Sequence, residues 1–236
     1  MKLSKTALSF AVIAALLLLV AGPGTRLGLW DFRFGFLLMR WALFVGLAAA
    51  AVSIILLLIP KIRHGNATLL VSATVIGLAT AWMPWNGYRT VQALPFIHDI
   101  TTDTANPPQF VAVLPLRANA SNPPEYSGAE TAQLQREGYP DIQPIRMNDA
   151  PQETLQKALK VLEDMGLEIV AVEPGDGRIE ATATTFWFGF KDDVVVRVTP
   201  EGNGSRLDIR SKSRVGRSDV GANAARIRRF VSMLQG

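Results

Sequence analysis

The chain contains no cysteine, only two histidines (His64 and His98), and a single acidic residue, Asp31, in its first 86 positions. The missing thiols exclude disulfides, a lipid-modified cysteine and any cysteine-ligated metal. No Gly-Lys-Ser/Thr ending of a phosphate loop, no Gly-x-Ser-x-Gly elbow and no Ser-x-x-Lys pair occurs, so the recognisable signatures of nucleotide hydrolysis and serine acylation are absent. A serine enzyme built on Ser211, Ser213 or Ser218 with Lys212 is disfavoured further, because neighbours on a strand point to opposite faces.

What the chain has in excess is apolar sequence. Its mean hydropathy of +0.21, with 49% hydrophobic residues, is too high for an ordinary soluble protein. The excess lies in three nearly uncharged runs, 7–22, 41–59 and 67–83. A helix needs roughly 17 to 25 residues to cross the hydrocarbon layer, so residues 1–86 read as a membrane region with about three spans. This region carries seven Lys or Arg against one acid (+6), and residues 87–236 carry seventeen against nineteen (−2). The pI of 9.6 therefore comes from membrane flanks and does not argue for nucleic acid.

Cations flanking membrane spans tend to stay in the cytoplasm. Lys2 and Lys5 precede the first run, and Lys61 and Arg63 lie between the second and third. The expected topology is a bacterial inner (cytoplasmic) membrane protein with its C-terminal domain in the periplasm. The first run also has the form of a cleaved signal peptide, and cleavage would leave a two-span hairpin of the same orientation. Trp30, Phe32, Phe34, Phe36 and Trp41, then Trp82, Trp85 and Tyr88, fall where interfacial aromatic belts belong, with Arg33 and Arg40 snorkelling to the same level.

Residues 87–144 are rich in Pro, Asn, Thr and Ala, with the breakers "NPPQF" and "SNPPEY". This segment reads as an extended linker or wrapping segment, with "FVAVLPL" its one strand-like stretch. Residues 145–236 read as the α+β core: "IQPIRM" as a short strand, then a helix with Leu155, Ala158, Leu159 and Leu162 on one stripe. The period-two runs "LEIVAVEP", "RIEATATTFWF", "DDVVVRVTP" and "RLDIRSKSR" follow, and a last helix spans about 219–234 with Val220, Ala224, Ile227, Val231 and Leu234 at helical spacing. The order β-α-β-β-β-β-α predicts a two-layer domain, an antiparallel sheet packed against two helices. Matching the apolar faces of its last hairpin sets Val194, Val196 and Val198 against Ser211, Ile209 and Leu207. On the other face, expected to be solvated, Arg197 then meets Asp208 and Asp193 meets Lys212.

"PFIHDITTDTANPPQF", "RIEATATTFWFGFKDDVVVRV" and "LDIRSKSRVGRSDVGANAARIRRF" resemble the family known as domain of unknown function 1499, over about residues 95–233. The resemblance implies a domain that follows short hydrophobic segments, and it implies no reaction, so no catalytic role is carried over. The element order is similar to the helix-grip arrangement of accessory domains in outer-membrane assembly lipoproteins, a likeness of topology alone.

Two candidate sites remain. His98, Asp99 and Asp103 have the chemistry of an acid/base pair, yet give a metal at most three ligands from one segment. The competing reading makes Asp99, Thr101, Thr102 and Asp103 turn residues that bond their own backbone before "NPP". The second candidate is the one basic patch, eight Lys or Arg between Ser205 and Arg229 against Asp208 and Asp219. Arg210, Arg214, Arg217, Asp219, Asn223 and Arg226 there frame a glycine-flanked turn at a helix N-terminus, suited to an anion or a partner. The competing reading has Asp219 or Ser218 capping the helix and the arginines pairing with Asp192, Asp193 and Glu180. The expected function is a non-enzymatic binding or envelope-interaction module without metal or cofactor. Its expected partners are the bilayer and an anionic lipid, glycolipid or acidic envelope protein, with no nucleic acid. A periplasmic hydrolase using His98 and a carboxylate is the alternative, and a structural subunit of a membrane complex is the third reading.

Overall fold

A computed structural model describes residues 2–236. Contacts divide the chain into two units. The first runs to Thr90 and holds α1 (Lys2–Arg26), α2 (Phe32–Leu57), a single turn α3 (Pro60–Arg63) and nearly all of α4 (Ala67–Ala93). α1, α2 and α4 are each long and apolar enough to cross a membrane. Run 7–22 thus lies within a longer α1, run 41–59 overruns the end of α2 by two residues, and run 67–83 is the N-terminal part of α4. Pro23 and Pro84 lie inside α1 and α4 rather than ending them, as membrane helices tolerate. Asp31, the lone acid of this region, accepts a hydrogen bond from the Arg33 amide (2.9 Å) and caps α2.

The faces these helices bury are made of small residues: Ala7, Ala11 and Ala14 on α1, Gly46, Ala49 and Ala50 on α2, Ala73, Gly77 and Ala81 on α4. Lipid is as apolar as leucine, so membrane helices gain by close backbone approach at small side chains. α2 and α4 meet at glycine on glycine, where a Cβ on Gly77 would lie 2.4 Å from the Gly46 carbonyl oxygen.

The second unit comprises residues 91–185 and 190–236. It contains β1 (Asp99–Thr101), α5 (Ala129–Gly138), β2 (Ile145–Met147), α6 (Pro151–Asp164), β3 (Glu168–Glu173), β4 (Arg178–Thr184), β5 (Lys191–Glu201), β6 (Gly204–Ser213) and α7 (Ala222–Gln235). All strand pairs are antiparallel, in the order β1-β6-β5-β4-β3, with β2 also on the outer edge of β6. The anticipated β5–β6 register holds at all five pairs. α6 and α7 cover one face, where Leu155, Ala158 and Leu162 meet Ile179, Val194, Val196, Ile209, Ile227 and Phe230 in one core.

Several expectations are corrected. The wrapping segment contributes an edge strand, β1, and a helix, α5. "FVAVLPL" is not a strand, because three of its amides are taken by a side chain described below. Val220 lies ahead of α7, exposed and at φ 54°, not on its apolar stripe. The second face of the sheet is not solvated: Glu180, Asp193, Asp208, Arg210 and Lys212 are all buried beneath residues 102–127.

Substituting Gly77 by Val forces α2 and α4 apart. Its expected effect in detergent-solubilised full chain is a lowered thermal midpoint, while Gly87→Val, whose added atoms meet open space, leaves the midpoint near that of the parent.

Candidate functional site

The opening residues of the sheet domain are placed on different tasks. Asp99 sits on β1 opposite Lys212 and points to the wrapped face. There it takes two hydrogen bonds from Arg210, Nε and Nη2, at 2.9 Å each, and an ion pair from Lys212 at 3.0 Å, all three side chains fully buried. Its expected turn role therefore goes to Asp103, which accepts from the Ala105 and Asn106 amides and pairs with Arg197 and Arg206. His98, one residue earlier, faces the other way. Its Nδ1 lies 3.4 Å from the Arg217 carbonyl oxygen, and its Nε2 is enclosed without a hydrogen bond to the protein. Burial, followed by the nearby Lys212 charge, holds the imidazole below its ordinary pKa. The structure thus brings neither carboxylate onto the imidazole. Among the described residues no group of three His, Asp or Glu side chains is gathered for a metal ion.

The wrapped face is an ionic layer. Arg210 donates to the Pro108 carbonyl (3.1 Å) and the Pro124 carbonyl (2.9 Å), and Lys212 to that of Glu125. These acceptors lie in the two Pro-Pro stretches that read as breakers. Phe110 and Tyr126 lie over the Arg210 guanidinium, at 4.8 and 5.5 Å. Asp193, expected to meet Lys212, is taken by Arg117 (2.6 Å), Arg214 (2.8 Å) and the Thr182 hydroxyl (2.8 Å). Glu180, fully buried, accepts from the consecutive amides of Val111, Ala112 and Val113 at 2.9–3.1 Å and faces Arg178 at 3.0 Å. Three consecutive amides closing on one carboxylate form a backbone anion nest, here filled by a side chain of the same domain. Burial pushes the Tyr126 hydroxyl up to about 12.

The basic patch is largely satisfied from within. Arg210 and Arg214 are committed as above, and Arg226 pairs with Asp192 (2.7 Å) and bonds Ser211 and Asn223. Asn223 is buried and bridges Ser211, Ser213 and the His98 carbonyl. Asp219 accepts from the Gly221 and Asn223 amides and so serves the start of α7, although burial raises its pKa. Arg217 is exposed and stacks over Phe96 at 5.4 Å.

One residue of the patch that sequence reasoning left out stands in a different position. Arg229, one turn beyond Arg226 on α7, lines a cleft of about 300 Å³ with Met165, Leu167, Ala183 and Thr184, and it has no carboxylate partner among the described residues. A second cleft, of about 360 Å³ beside α7, has its guanidinium closed already, Arg228 holding Asp141 at 2.6 and 2.7 Å. Helical spacing alone offered no means of telling Arg228 from Arg229. Their difference depends on Asp141, which lies 87 residues away in sequence.

Residues 99–234 match the model of the family described as protein of unknown function (DUF1499), and the chain belongs to that family. The match opens on the first residue of β1 and ends within α7, so both Asp99 and Arg210 fall inside it. No curated protein matches the chain in sequence.

Replacing Asp99 by Ala leaves two buried cations without their counter-charge, and breaking such a cluster costs about 3–5 kcal/mol. Denaturant unfolding of the full chain in micelles is expected to show that loss. His98 gives a pH test. With its folded pKa depressed, the unfolded state binds the proton first, so the contribution is complete above the ordinary value of 6.5 and is lost as pH falls from there through the lower folded value. The parent is expected to lose more stability than His98→Gln between pH 7.5 and 5.5, measured as the difference between their thermal midpoints.

Proposed function

We propose that this member of the family is a non-enzymatic binding module of the bacterial envelope. In this reading α1, α2 and α4 hold it in the cytoplasmic membrane, its sheet domain lies on the periplasmic side, and its ligand presents an anionic group to the cleft between the first turns of α7, the end of β4 and the turn that follows α6. The carrying observation is Arg229, a cation without a carboxylate partner among the described residues, at a cleft whose other walls include Met165, Leu167 and Ala183. Arg226 lines the same cleft but is held by Asp192, and apolar walls beside the remaining guanidinium suit an amphipathic anion such as a lipid phosphate or a glycolipid headgroup. The orientation is supported by Lys61 and Arg63, both on the α3 turn between two spans. The binding reading is favoured over hydrolysis because Asp99 and Asp103 are engaged by Arg and Lys side chains and not by His98.

Because Arg214 is held by Asp193, its reversal would injure the fold, and the informative substitution moves to Arg229. Full chain in nanodiscs is titrated calorimetrically with short-chain phosphatidylglycerol, and with inorganic phosphate as the headgroup-only arm. Arg229→Glu is expected to weaken lipid binding about tenfold or more, since losing a cation and gaining an anion each shift roughly 1 kcal/mol near such a group. His98→Ala is expected to bind as the parent does. Equal binding by Arg229→Glu, or its loss in His98→Ala, would overturn the assignment.

A further inference from the structure

The β4–β5 turn carries Phe186, Trp187, Phe188 and Gly189, and these four residues group with the apolar helices of the first unit. The ends of α1 and α2 are shaped for them. A Cβ on Gly22 would lie 1.1 Å from the Trp187 ring, and one on Gly35 would lie 2.8 Å from the Phe188 ring, so both ring positions require glycine there. Phe188 meets Phe36 at a centroid distance of 5.1 Å, and Arg26 Nη1 donates to the Phe186 carbonyl at 2.6 Å. Gly189, at φ +70°, turns the chain against the Arg26 stem. Phe186 itself is 91% exposed, the most exposed of the large apolar side chains among the described residues.

A phenylalanine this exposed, in a turn whose neighbouring rings are seated, needs a cover. The residues around it indicate which. Trp30, Phe32, Phe34 and Trp41 follow or flank the same helix ends, with Arg26, Arg33 and Arg40 among them, which is the composition of a membrane interface. Aromatic rings at headgroup depth keep an apolar body in lipid. We infer that the Phe186–Phe188 turn is a lipid-inserting tip: Trp187 and Phe188 pack on the ends of α1 and α2, and Phe186 enters the acyl boundary of the bilayer those helices span. This assignment is independent of the cleft at Arg229.

The cysteine-free sequence allows a direct test. Single-cysteine variants Phe186→Cys, Leu16→Cys on the exposed apolar side of α1, and Asn203→Cys in the polar β5–β6 turn are spin-labelled in the full chain. They are then reconstituted in nanodiscs of phosphatidylethanolamine and phosphatidylglycerol. Collision with dissolved oxygen and with a water-soluble nickel chelate reports immersion. The expected result is an oxygen-to-nickel ratio at position 186 severalfold above that at 203 and on the side of position 16. A ratio equal to that at 203 would place the tip in water and overturn the inference. Because Phe186 is solvent-facing in the protein alone, the substitution is expected to leave the thermal midpoint unchanged. A large drop in the midpoint would mean that position 186 is packed against protein rather than lipid, and would overturn the inference equally.

Discussion

Asp99 lies fully buried between Arg210 and Lys212, and most of the sheet domain is arranged so that this is tolerable. Moving a carboxylate and two cations out of water costs several kcal/mol per ion, recovered only when geometry is good and every remaining donor finds an acceptor. The acceptors here are the carbonyls of Pro108, Pro124 and Glu125, so residues 102–127 must lie across the sheet. Once they do, Asp193 and Glu180 are enclosed as well, and each has its own clasp. The helix-covered face is held by ordinary apolar packing, which is non-directional. The charged face instead specifies which loop atom sits where.

How far this was legible in the sequence depends on whether partners were local. The spans, the β5–β6 register, the Leu155 stripe and the placing of seven of the nine sheet-domain elements follow from patterns that a single segment carries. Arg197 against Asp208 followed too, because cross-strand neighbours are fixed once register is fixed. What escaped was every partnership set by a distant segment. Alternating charges on β5 and β6 look the same whether water or a loop lies above them. "FVAVLPL" alternates like a strand, yet its amides serve Glu180 about 70 positions on. β1 is three residues long and has no signature of its own. Its edge is completed by Gln135, which donates to the Thr101 carbonyl and accepts from the Thr101 amide.

The candidate site was partly legible for the same reason. The patch around Gly216 was recognisable as basic, but net charge does not reveal which cations are spent internally. Pairing removes Arg210, Arg214 and Arg226 from the surface inventory and leaves Arg217 and Arg229. A domain whose wrapped face is closed by its own ion pairs has its openings along the edges of the helix layer, where α7 alternates paired and unpaired guanidinium groups at successive positions.

The clasp on Asp99 also sets an order of events in the making of the protein. Asp99 and Arg210 are 111 positions apart, so at a synthesis rate of about 5–20 residues per second the carboxylate waits roughly 5–20 seconds for its guanidinium. During that interval residues 99–127 have no surface to lie on, since β4, β5 and β6 do not yet exist. Prolines suit such a wait: "NPPQF" and "SNPPEY" resist pairing with stray strands and stay soluble as extended chain. The residues that made this segment look like a mere linker are those that keep it free until the sheet arrives.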